Sequence, residues 1–151
     1  MEAEHRPLRR RERALIYAAL GVALEVTFTA VQANLRGERD PHLRGHTYLW
    51  MLPVYASAAG LFEPLHGRLC RRPTWQRAMV YAAGITTVEL AAGTTLRRMT
   101  GSVPWDYTGH SRAAMAQGAI RLDYLPLWAG LGLLLERVDE LLHTARIPAH
   151  R

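Results

Sequence analysis

Residues 14–26 read ALIYAALGVALEV, and residues 78–90 read AMVYAAGITTVEL. Laid side by side without gaps, they share Ala14/Ala78, Tyr17/Tyr81, Ala18/Ala82, Ala19/Ala83 and Glu25/Glu89, with apolar-for-apolar exchanges at most other positions. A second pair follows the same order: LPVYASAAGLFE at 52–63 and LPLWAGLGLLLE at 125–136. Here Leu52/Leu125, Pro53/Pro126, Ala56/Ala129, Leu61/Leu134 and Glu63/Glu136 coincide, and Tyr55 faces Trp128. The chain therefore reads as two copies of one helical hairpin. Two helices per copy is an even number, so both copies insert the same way up. A pseudo-two-fold axis along the membrane normal is the expected relation, as in parallel transporter repeats. The fold class expected is all-α: a polytopic membrane protein with four transmembrane helices, arranged as two parallel-repeat hairpins.

The mean hydropathy of -0.09 conceals this, because polar residues collect in the tails and connections. Between them lie apolar runs at 14–33, 48–65, 78–96 and roughly 120–141, each near the ~20 residues that cross a bilayer core. The first three hold no Lys, Arg or Asp. In the fourth, Arg121 would have to snorkel outward. Runs apolar on all sides lack the polar face of a soluble bundle. The expected division is a cytoplasmic Arg-rich tail at 1–13, a membrane domain at 14–142 and a second cytoplasmic tail at 143–151.

All 19 basic residues are arginine, and their placement speaks to topology rather than to nucleic acid. Twelve fall in the N-terminal tail, the 65–78 connection and the C-terminal tail; seven fall in the other two connections. By the positive-inside rule both termini are expected in the cytoplasm of a multi-pass protein of the cell membrane. The Arg-rich start has the shape of a signal peptide ending at Val31-Gln32-Ala33, but Glu25 within the run and the repeat itself argue against cleavage. A single cysteine, Cys70, excludes an internal disulfide and supports no metal cluster.

Glu25 and Glu89 each lie 11 residues into an outward-running helix, about 16 Å deep and close to the midplane. A carboxyl there costs at least ~2.5 kcal/mol and normally faces the bundle interior. Thr27, Thr29, Thr86 and Thr87 accompany the pair. Glu63 and Glu136 fall near the cytoplasmic ends of helices two and four, where water can reach a carboxylate. Pro53 and Pro126 are expected to start or kink those helices. Glu63 with His66 and Glu140 with His143 have the Glu-x-x-His spacing of di-iron bundles. Neither is at membrane depth, so no metal and no cofactor is expected. The long connection at 97–119 carries Trp105-Asp106-Tyr107, which either anchors at the interface or folds back as a cap with Asp106 aimed inward.

Several of these blocks occur together in a recognisable order. Gly21-x-x-x-Glu25-Val26-x-Phe28-Thr29-Ala30, Leu49-Trp50-Met51-x-Pro53-Val54-Tyr55, Phe62-Glu63-Pro64-Leu65-His66, Val88-Glu89, Pro104-Trp105-Asp106-Tyr107 and Gly118-x-Ile120-Arg121-Leu122-Asp123-Tyr124 resemble the transmembrane protein 229 family. Bacterial relatives of that family are labelled ABC transporter permeases. The resemblance spans about residues 17–140; Ala56 and Thr108 stand where the family's pattern has Gly and Ser. It implies a polytopic membrane protein and carries no mechanism.

Three functions remain open from the residues. The first is a transport component whose buried acids bind a proton, cation or amphipathic solute; four helices make a narrow path, so this expects a homo-oligomer. The second is a membrane-embedded enzyme acting on a lipid or isoprenoid, with Glu25 and Glu89 as acid and base and Asp106 orienting the substrate. The third is a non-catalytic lipid-binding protein or scaffold. The ligand-facing set is Glu25, Glu89, Glu63, Glu136, Trp105, Asp106, Tyr107 and Asp123, and the constant partner is the lipid bilayer.

Overall fold

A computed structural model describes residues 5–37, 40–109 and 111–149. Arg39 and Arg151, both counted in the charge asymmetry, lie outside the described residues. The chain is built from helices and divides into two compact units. One comprises the residues up to Leu65 together with those from Leu142 onward; the other is His66–Leu141.

In the first unit, α1 runs over Arg10–Leu35, four residues ahead of the apolar run. The early start has a local cause. Glu12, in the first turn, accepts the Arg9 backbone N–H at 2.7 Å and pairs with Arg6 at 2.5 Å, which satisfies an orphan donor at the helix end. The second apolar run becomes α2 (Met51–Ala56) and α3 (Ala58–Leu69), separated only by Ser57. Pro53 sits in the first turn of α2, where its missing N–H costs nothing. The segments read as tails, 1–13 and 143–151, meet in a short ladder among their described residues. Strand β1 (His5–Pro7) pairs antiparallel with β4 (Arg146–Pro148), with Arg6 opposite Ile147.

In the second unit, α4 runs over Thr74–Thr100 and ends at Gly101, whose φ of 82° provides the left-handed cap. The last helix, α5, is Leu125–Thr144, with Pro126 in its first turn. The fourth apolar run therefore begins differently from the expectation. Ile120–Arg121 forms strand β3, paired with β2 (Ala114–Met115), and Leu122–Tyr124 is a 3-10 turn. The β2–β3 turn holds Ala116, Gln117 and Gly118 all at positive φ, 52°, 56° and 84°. Two of these are not glycine and are strained. Arg97, at the end of α4, clamps the turn by donating to the Gln117 carbonyl and side-chain amide oxygens.

Leu20, Leu24, Phe28, Val31 and Leu35 are all exposed and recur at three- and four-residue spacing along α1. An apolar stripe of this length left uncovered marks a surface that meets lipid or another protein. Among the described residues α1 alone is long and apolar enough, by length and composition, to cross a membrane. α4 is as long, but Glu89 and the threonines at 86, 87, 94 and 95 dilute its apolar character. An apolar helix of the length of α1 suggests association with a membrane.

Candidate functional site

Each unit is a hairpin with one acid near the middle of its first helix and one toward the end of its last. In the first unit α1 packs on α2 and α3. Gly21 permits this: a methyl there would collide with the Tyr55 ring. The close approach places Tyr55 Oη 2.7 Å from Glu25 Oε2, to which it donates; Thr47 Oγ1 donates to the same oxygen at 2.5 Å. Thr47 is in place because residues 45–47 lie along α1. Thr29 Oγ1 donates to the His46 carbonyl at 3.0 Å and accepts the His46 N–H at 2.9 Å. Gly45 has no room for a side chain against the Val26 carbonyl. Thr27, expected beside Glu25, instead donates to the Ala23 carbonyl one turn back.

In the second unit, Tyr107 Oη donates to Glu89 Oε1 at 2.8 Å. Glu89 Oε2 is buried and, among the described residues, accepts no hydrogen bond of good geometry. Trp128 Nε1, also buried and unpartnered, faces this carboxylate without reaching hydrogen-bond geometry. Tyr107, Tyr124 and Trp128 form an edge-to-face series with centroids 5.8 and 5.5 Å apart. Arg121 does not snorkel outward. Its guanidinium lies 3.9 Å from the Tyr124 ring centroid and 5.6 Å from that of Tyr107, and Asp123 holds it at 2.9 and 2.5 Å. Hydrogen bonding from Arg121 lowers the Asp123 carboxyl below its ordinary range. Burial, and then the facing Glu89 carboxylate, pushes the Tyr107 phenol well up, so it keeps its proton and remains the donor.

The connection at 101–119 does fold back over α4, though Asp106 is not the residue that reaches inward. Asp106 is exposed, and its Oδ1 accepts the Thr108 N–H at 2.9 Å, an Asx turn. Trp105 instead anchors the segment. Its Nε1 donates to the Ala119 carbonyl at 3.0 Å, and its ring and Ala119 rest on Gly93 of α4. Trp105→Ala is expected to free this segment and speed tryptic cleavage after the exposed Arg112 by roughly tenfold, the factor that ~1.4 kcal/mol of local opening produces. An unchanged cleavage rate would show that Trp105 is not the anchor.

Glu63 and Glu136 are not simply hydrated. Arg13 Nε and Nη2 donate to Glu63 Oε1 and Oε2 at 2.8 and 2.7 Å. Arg77 Nε and Nη2 donate to Glu136 Oε1 and Oε2 at 2.7 and 3.0 Å. The same donor atoms meet the same acceptor oxygens in both units, a bidentate fork. Glu136 Oε1 also accepts from Tyr81 Oη at 2.8 Å, and Tyr81 is 1% exposed. The arginines were missed as partners, yet the signal was there: Arg13 and Arg77 stand immediately before the matched Ala14 and Ala78. In the second unit His66 Nδ1 lies 2.8 Å from Asp139 Oδ2, both buried, and Glu140 pairs with Arg137 at 2.9 Å.

No solved structure matches the chain. Its sequence fits a family model over residues 14–148, which takes in both hairpins, all four glutamates and the Trp105–Tyr107 segment. With nearly its whole length so matched, the chain belongs to the family described as Putative ABC-transporter type IV.

Proposed function

We propose that this protein is a multi-pass transport component of the cell membrane, in which Glu25 and Glu89 bind a proton or small cation within the bilayer. The carrying observation is the buried Glu89 carboxylate, held by one hydroxyl, that of Tyr107 on Oε1, with only the indole N–H of Trp128 facing Oε2. Buried polar atoms are almost always satisfied, and an exception at membrane depth reads as a place for a mobile proton or ion. Glu25, by contrast, has two donors on Oε2.

The multi-pass reading draws on the β1–β4 ladder. An antiparallel pairing of the two chain ends requires both on the same face of the membrane, hence an even number of crossings. The arginine asymmetry makes that face cytoplasmic. The parallel repeat draws on the matched Arg13–Glu63 and Arg77–Glu136 forks, and on Tyr55 and Trp128, which stand at aligned positions beside Glu25 and Glu89. Transport is favoured over the enzyme because Asp106, the proposed substrate-orienting residue, is exposed and engaged by its own loop, accepting the Thr108 N–H and lying against Gly118. A homodimer or larger assembly is the proposed working form.

The test is reconstitution into liposomes loaded with a pH-sensitive dye, with a potassium diffusion potential imposed. Wild type is expected to acidify the lumen faster than protein-free liposomes, and Glu89→Gln to return the rate to the protein-free baseline while inserting normally. Wild-type liposomes indistinguishable from empty ones, with protons and with sodium as the only permeant cation, would overturn the proposal.

A further inference from the structure

Between Pro64 and Val88 the chain has no acidic residue, while Arg68, Arg71, Arg72 and Arg77 crowd residues 68–77 of that stretch. Arg77 is committed to Glu136. Arg68, Arg71 and Arg72 are exposed, and no acidic group among the described residues pairs with them. Arg72 lines an open groove whose other walls are Leu69, Trp75, Gln76, Met79 and Val80. Trp75 and Met79 are 63% and 64% exposed, large apolar side chains left open to their surroundings among the described residues. The groove borders the first turn of α4, which carries no acidic side chain. The partial positive charge of that helix end therefore adds to the arginines.

We infer that this groove binds an anionic phospholipid, with the headgroup phosphate on Arg72, flanked by Arg68 and Arg71, and the upper acyl chain along Trp75, Met79 and Val80. Charge and apolar floor together select this occupant. A free phosphate would use the arginines and leave Trp75 and Met79 bare. A lipid places an anion and a hydrocarbon chain a few ångströms apart, which matches a groove that changes from Arg72, just before α4, to Trp75 and Met79 in its first turns. An exposed Trp at such a boundary belongs at the headgroup level. The inference rests on the membrane location of the chain and not on the transport proposal, so the flux test can fail while this one succeeds.

The test uses the full chain in nanodiscs containing brominated lipid, which quenches tryptophan at contact distance. The Trp75 signal is the difference between wild type and Trp75→Phe. Brominated phosphatidylglycerol is expected to quench that signal at a several-fold lower mole fraction than brominated phosphatidylcholine. In Arg68→Gln/Arg71→Gln/Arg72→Gln the two curves should coincide, and the corresponding lysine variant should keep part of the preference. Raising salt to about 1 M on wild type, which shortens electrostatic reach to ~3 Å, should also weaken the preference without touching the fold. Equal quenching by the two lipids in wild type, or a preference that survives in the glutamine variant, overturns the inference.

Discussion

Alanine at Gly132 is expected to destabilise the protein by about 3 kcal/mol, while alanine at Gly130, two residues earlier on the same helix, stabilises it by about 0.5–1 kcal/mol. Both lie inside α5 (Leu125–Thr144), so helix propensity favours alanine equally at the two sites. They differ in what a methyl would meet. At Gly130 there is nothing within reach. At Gly132 the methyl would fall inside the contact distance of Tyr81 Cβ, at the root of a side chain that is fully buried and cannot swing away. Only separation of α5 from α4 makes room, and that pulls Tyr81 Oη from Glu136 Oε1. Small residues that let helices approach closely are the general device here. Thermal unfolding in one detergent, compared across the two variants, is the measurement. Equal shifts of the same sign would mean that α4 and α5 do not meet at Gly132.

Glu63→Ala is expected to cost about 3 kcal/mol, and the double replacement Arg13→Met/Glu63→Leu far less than that single change. The Arg13 side chain is 14% exposed and that of Glu63 8%. Removing the carboxylate leaves a guanidinium in a place with little water, still tied through Nη1 to the Leu8 carbonyl. Removing both charges eliminates the uncompensated ion and leaves an apolar contact. Unfolding of the three variants by denaturant distinguishes the cases. If the double variant is as unstable as the single one, the fork contributes through its shape rather than its charge. Glu136→Ala should follow the same order and, in addition, remove the carboxylate to which the buried Tyr81 hydroxyl donates.

The helices were legible in the sequence because hydrophobic runs and their boundaries are local properties. Glu12 in a first turn, Pro53 and Pro126 in first turns, and Gly101 as a left-handed cap all act within a few residues of themselves. Ile120–Arg121 was misread as helix for an equally physical reason. A short apolar run has no period of its own, and its conformation is set by pairing with Ala114–Met115 and by the Arg97 clamp on the turn. The β1–β4 pairing was invisible because three-residue strands at opposite chain ends carry no sequence signal.

The acids follow the same division. Glu25, Glu63, Glu89 and Glu136 stand out in the sequence by their cost in an apolar run and by their recurrence at matched positions. What each one touches does not. Arg13 and Arg77 reach Glu63 and Glu136 from 50 and 59 residues away, and Tyr107 reaches Glu89 only because the 101–119 segment doubles back onto α4. The apolar helices, their approximate ends and the costly carboxyls follow from residue order alone, since propensity and transfer energy belong to each residue. Which carboxyls are neutralised by arginine and which are held by hydroxyls follows from packing. Donor geometry depends on the distance between chain segments, and that distance is set by packing at Gly21, Gly93 and Gly132 rather than by any local preference.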